Sequence, residues 1–258
     1  MEDAGATPDL SSWADDAPYA ALAQADRATF AWEFGRRESG IEGTVPVPLV
    51  PVEQHVALVD AEPSVSLPGL RFALPPACRD ALATVQWDWT CDPSVLPVTA
   101  IPAAGGFDLR ALELAVTVMR GPDAEHVLIA DGAYRLRLVV LDGTLLEGPV
   151  RFHYQLPRGH DRAHLLALRR LMALCRTGRL PAPLCLPSRR AARWATVLRA
   201  WDAHRAGASQ RDIACLLWGA ERVREDWNGR SDYLRMRVHR MIHTADHLVR
   251  GGWRHLLR

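Results

Sequence analysis

The sequence predicts an α+β protein in three parts. A short N-terminal helical module (1–40) precedes an antiparallel β-rich region (41–158) and an all-helical, helix-turn-helix-like domain (159–258). Three observations predict this. The apolar period is two through much of the middle of the chain and becomes three-and-four beyond about residue 160. Asp131-Gly132 and Asp142-Gly143 stand between alternating apolar runs, the strongest short-range hairpin signal. The charge reverses at the same place. Residues 1–160 hold 11 Arg against 22 Asp and Glu, a balance of −11, whereas residues 161–258 hold 20 against 8, a balance of +12. Such asymmetry points to a polyanion-binding end, the alternative being ion pairing between the two halves.

In the first part, Leu22, Phe30, Trp32 and Phe34 form the apolar content of a short helical pair over 11–38, with Gly35, Gly40 and Gly43 as stop signals. In the second, HVALV (55–59), LRFAL (70–74), TVQWDW (84–89) and LELAVTV (112–118) read as strands. HVLIA, YRLRLVVL and TLLEGPVRFHYQL, separated by the two Asp-Gly pairs, read as an antiparallel meander. Arg135 and Arg137 alternate there with Leu136 and Leu138, which predicts one packed face and one wet face. In the third, Leu165, Leu168, Leu171, Met172 and Cys175 make one helical stripe, and Ala191, Trp194, Leu198 and Trp201 make the next, capped by Ser188 and ended by Gly207. Ser209 and Asp212 predict a capping box opening a short helix that Gly219 closes. A connector with one further turn of helix and an Asn228-Gly229 turn leads to the longest helix, from Ser231 to Gly251-Gly252.

Composition narrows the function. The 258 residues are 48% hydrophobic and 24% charged, which excludes wholesale disorder. No lysine is present, so a Gly-Lys-Ser/Thr phosphate loop and Schiff-base chemistry are excluded. Five scattered cysteines without a Cys-x-x-Cys pair argue against a disulfide framework and read as small core residues. With an acidic, non-signal-like N-terminus and no run long enough to span a bilayer, they predict a cytoplasmic protein with no membrane partner. No Gly-x-Ser-x-Gly elbow or Gly-x-Gly-x-x-Gly loop occurs, and neither an enzyme nor a cofactor is expected.

At 100° per residue, Leu234, Val238, Met241, Ala245 and Leu248 form the core face of the last helix. Met236, His239, Arg240, His243, His247 and Arg250 lie opposite, flanked by Arg235 and Arg237, so this face is long and basic. A short capped helix followed by a long basic helix predicts double-stranded DNA as the partner, with the second helix in the major groove. Ser209, Gln210 and Arg211 would meet phosphate at the helix start, and Arg230, Arg235, Arg237, His239, Arg240 and His243 complete the expected interface. Because one short reading helix carries little specificity, a homo-oligomer on paired half-sites is expected.

These residues carry a resemblance. ASQRDIACLLWG (208–219), Asp226-Trp227, SDYLRMRVHRMI (231–242) and LVRGGWRHLL (248–257) resemble the C-terminal DNA-binding domain of RovC-type regulators, shared by FseA-type activators and QseM-type antiactivators. The N-terminal W…YAALAQADRATFAWEFGRR (13–37) and DG…LEGPVRFHYQLPRG (142–159) resemble the parts upstream of that domain in FseA-like proteins. The resemblance implies a bacterial transcriptional regulator, an activator without enzymatic activity, that meets the transcription machinery or an antiactivator protein.

Two other readings stand beside it. The domain could bind a partner regulator without touching DNA, as an antiactivator does, with Met236 and Trp227 as contacts. His239, His243 and His247 recur every four residues and could chelate a metal, but flanking arginines oppose a dication, so solvated or phosphate-facing imidazoles are expected and no metal.

Overall fold

The computed structural model describes residues 13–40, 49–53, 56–59, 67–74, 82–154, 161–227 and 232–258. Its helices are α1 (Ala17–Leu22), α2 (Arg27–Glu38), α3 (Asp161–Thr177), α4 (Ala191–Arg205), α5 (Gln210–Trp218), α6 (Ala220–Asp226) and α7 (Tyr233–Val249). Its strands are β1 (Leu49–Glu53), β2 (Val56–Val59), β3 (Leu70–Leu74), β4 (Thr84–Trp87), β5 (Val95–Phe107), β6 (Ala115–Arg120), β7 (Glu125–Asp131), β8 (Tyr134–Asp142) and β9 (Val150–Tyr154). The fold is α+β, as the periodicity predicts. Seven strands form one sheet in the order β1-β2-β6-β7-β8-β5-β9, and β3 pairs with β4 separately.

The antiparallel expectation holds for β6-β7-β8, where Asp131 pairs with Tyr134 across the predicted turn. It fails elsewhere. β2 runs parallel to β6 and β5 runs parallel to β8, so the sheet is mixed. The Asp142-Gly143 pair does not fold β9 back onto β8 either, since β5 lies between them and pairs antiparallel with β9. Gly143, at φ 79°, carries the chain past β5 so closely that a Cβ would lie 2.0 Å from the Ala100 carbonyl oxygen. Pro97 and Pro102 hide β5 from a strand reading, because proline in a central strand removes a ladder donor. Each stands where only one neighbour is laddered: β5 meets β8 over Val95–Thr99 and β9 from Val98 onward.

Both faces of this sheet are covered. Val127, Ile129, Leu136 and Leu138 pack with Ala167, Leu171 and Leu174 of α3. On the other face, Leu128, Ala130 and Met119 pack with Phe72 and Leu74 of β3. Arg135 and Arg137 are in register with Ala130 and Leu128, so they share this second face and are 5% and 2% exposed. The wet face predicted for them is therefore buried. Arg137 spends its guanidinium on the Asp26 carboxylate (2.5 Å) and the Val85 carbonyl (2.8 Å).

Gly35 does not stop α2, which runs on to Glu38 before Gly40 turns left-handed at φ 65°. Its role is steric: a Cβ there would stand 3.0 Å from Leu67 and 3.2 Å from Trp253. Phe30, Trp32 and Phe34 of α2 share one core with Trp194 and Leu198 of α4, Ala245 and Val249 of α7, and Trp253 in the 3-10 turn Gly252–Leu257. Polar contacts reinforce it. Arg37 forks onto Asp202 at 2.7 Å through both Nε and Nη2, the Tyr19 hydroxyl donates to Asp202 (2.7 Å), and Arg199 pairs with Asp16. The Trp253 indole N–H donates to Glu38 (2.7 Å). Cys185 is buried, but Cys91 and Cys175 are exposed, so the core reading of the cysteines fails for those two; Cys78 lies outside the described residues.

Candidate nucleic-acid interface

α5, α6 and α7 close around Ile213, Ala214, Val223, Leu234 and Val238, a compact core that also takes Ala200 and Ala203 from α4. The connector expected to hold one turn of helix forms α6, seven residues long, entered through Gly219 at φ 89°. The short and long helices are thus joined through a third helix instead of a three- or four-residue turn.

The predicted capping box is present on α5. The Ser209 hydroxyl donates to Asp212 (2.6 Å), as does the Ser209 backbone N–H (3.0 Å), and Oγ accepts from the Asp212 N–H (3.2 Å). These hydrogen bonds hold the Asp212 carboxyl below its ordinary range. The box occupies two N-terminal amides and places a carboxylate among them. Any phosphate there relies on the amides of Gln210 and Arg211 and on the exposed Arg211 side chain. Ser188, by contrast, caps nothing in α4: its Oγ accepts from the Arg190 N–H at 3.3 Å, and the helix N-cap is Arg190.

On α7, Leu234, Val238 and Ala245 are buried and Met241 and Leu248 half-buried, as the stripe requires. Arg235, Met236, Arg237, His239, Arg240, His243, His247 and Arg250 are all exposed. The helix thus presents a face rich in arginine and histidine, with Met236 and Asp246 also on it. Ser209 and Arg211 are exposed and Gln210 half-buried at the start of α5, while Arg230 lies outside the described residues. Ser231 also lies outside them, and α7 begins after Asp232.

Two tryptophans hold the basic face in place, a role the sequence reading did not assign them. The Arg237 guanidinium lies over the Trp218 ring at 4.7 Å, and that of Arg235 over Trp227 at 5.6 Å. Arg235 also donates to the Trp227 carbonyl (3.4 Å) and pairs with Asp232 at 3.4 Å. Exposed pairs of this kind contribute about 0–1 kcal/mol, so a competing hydrogen-bond acceptor would displace them at little cost. Arg240 donates back to the Met236 carbonyl (3.1 Å), and the His239 and His243 rings stack with centroids 6.5 Å apart. The signal was readable: Trp218 and Trp227 close two consecutive short helices amid arginines.

Among the described residues no group of three or more His, Cys, Asp or Glu could hold a metal ion. Among the described residues no helix is long and apolar enough to cross a membrane. No curated protein matches the chain. Residues 154–258, the stretch that holds the basic helix, match the family described as the T6SS transcription factor DNA-binding domain of RovC type, consistent with the resemblance to RovC-type regulators.

Proposed function

We propose that the protein is a cytoplasmic transcriptional activator that reads duplex DNA with the exposed face of α7. The observation that carries this reading is the exposed, arginine- and histidine-rich face of a helix whose opposite side is core. Arg235, Arg237, His239, Arg240 and His243 would face the major groove, and Ser209, Gln210, Arg211 and Arg230 the phosphates. The reading treats 159–258 as the binding domain, 41–158 as the β-rich body and 1–40 as the N-terminal module, with copies pairing on half-sites and the transcription machinery or an antiactivator as the protein partner. It needs no cofactor and no catalytic residue.

The test uses the full chain and its operator. Arg235→Ala and Arg240→Ala should each weaken specific binding by about 1–3 kcal/mol while the melting temperature stays put. Affinity should fall steeply with salt, at a slope of about −0.9 in log K per neutralised phosphate. Val238→Asp is the contrasting control, because it buries an unpaired charge and should unfold the helical core. The antiactivator-like reading finds support in Tyr233 and Met236, 54% and 49% exposed beside the basic face. Normal operator binding by both folded arginine variants would favour that reading.

A further inference from the structure

Away from α7, an open cleft of about 610 Å³ runs between the start of α2, the Asp92–Ser94 segment before β5, α3 and the C-terminal 3-10 turn. That volume lies within the range of small-molecule sites. Three features of its lining suit a small ligand. The first is a buried acceptor. Asp92 is 4% exposed; its Oδ1 accepts from the Ser94 N–H (2.8 Å), and its Oδ2 has no hydrogen-bond partner among the described residues. The nearby Arg137 does not supply one, since its hydrogen bonds go to Asp26 and the Val85 carbonyl. Burial pushes the Asp92 carboxyl above its ordinary range despite that neighbour. A carboxylate oxygen left buried and unmatched is costly, and a ligand N–H would satisfy it.

The second feature is a cationic rim. Arg162 and Arg258 line the cleft, both exposed, and neither has an ion pair or hydrogen bond among the described residues. Arg27 and Arg170 donate to the His255 carbonyl (3.1 Å) and the Leu184 carbonyl (2.8 Å) respectively. Guanidinium forks of this kind match phosphate. The third feature is an apolar wall of Pro93, Leu186 and Leu256, with Leu186 74% exposed to solvent. A flat ring lying on it would cover that surface.

We propose that this cleft binds a mononucleotide, with its phosphate on Arg162 and Arg258, the N–H edge of its base on Asp92 Oδ2, and its ring against Leu186. The chemistry combines an anion, a ring and an N–H donor in one small molecule, and each feature of the lining answers one of the three. The proposal is independent of how α7 reads DNA.

Calorimetric titration of the full chain with guanosine and adenosine 5′-monophosphates tests it. Saturable binding of at least one is expected. Arg162→Ala and Asp92→Asn should each weaken it tenfold or more, whereas Arg240→Ala on α7 should leave it unchanged. Arg162 is exposed, so its variant stays folded and decides the matter even if Asp92→Asn proves unstable. Failure of both nucleotides to bind at millimolar concentration would overturn the proposal. So would binding lost in Arg240→Ala and kept in Arg162→Ala, which would mean the nucleotide sits on the DNA face. Inorganic phosphate binding as tightly as the nucleotides would overturn the assignment of a base.

Discussion

The pair Arg137–Asp26 joins the sheet to the first turn of α2, and its removal has a calculable cost. Asp26→Asn keeps the size of the side chain and an oxygen that can accept the Thr29 N–H, now at 2.9 Å, so the cap survives. What is lost is the negative charge facing a guanidinium that is 2% exposed. Stripping one partner from a wholly buried pair costs about 3–5 kcal/mol. The Asp26 side chain is 37% exposed, so water already screens part of the interaction, and the expected loss falls to about 2 kcal/mol. Arg137→Met should cost a comparable amount, because it strands Asp26 and the Val85 carbonyl together. The double variant removes both charges and should cost clearly less than the two losses added, by about 1–2 kcal/mol of coupling. Urea unfolding followed by tryptophan fluorescence gives all three numbers, provided the slopes agree. Strict additivity, within about 0.5 kcal/mol, would refute the view that this contact is energetically coupled.

Three further outcomes are expected. Acid should weaken the fold in two windows. Burial alone would raise the Asp26 carboxyl, but Arg137 and Thr29 outweigh it and hold it well below 3.8, so its contribution is complete above about pH 4 and drains away as pH falls further. His126 is pushed down to about 4 by burial and Arg71, so its contribution is complete above its ordinary 6.5 and is lost between there and about 4. Stability measured against pH should flatten in the lower window for Asp26→Asn and in the upper for His126→Gln. Arg211→Ala should weaken specific and non-specific duplex alike in a binding titration, and loss confined to the operator would make Arg211 a base reader. Gly35→Ala should lower stability by up to about 2 kcal/mol in thermal melts, because overpacking against Trp253 costs about 1–3 and alanine's helix preference returns nearly 1 kcal/mol. Trp253 cannot give way, being packed at a tilt against Trp87 at 5.3 Å and tethered to Glu38.

The helical third was legible because local signals decide it. The Ser209–Asp212 box, the Gly207 and Gly219 stops and the Leu234–Val238 stripe each follow from neighbours a few residues away, and the exposed face of α7 follows from that stripe. The sheet was less legible because long-range pairing decides it. Alternation told Arg135 and Arg137 from Leu136 and Leu138 but could not say that β3 would cover the arginine face. Prolines concealed β5, whose one-sided ladders tolerate them only in this strand order. In the candidate interface, the charges of α7 were readable from spacing, whereas the seating of Arg235 and Arg237 on Trp227 and Trp218 depends on how α6 folds between the two helices.

The seat of Trp253 against Gly35 and Glu38 also sets a timetable for synthesis. The hydrogen bond to Glu38 spans 215 positions, which at 5–20 residues per second means roughly 10–40 s between the emergence of the two partners. Throughout that interval Phe30, Trp32 and Phe34 have no indole at 253 to close over them and no Ala245 or Val249 beside it. The first helices made are therefore among the last to be finished. A nascent chain of this protein carries an open aromatic face on the ribosome, the kind of surface that chaperones hold and neighbouring nascent chains aggregate through.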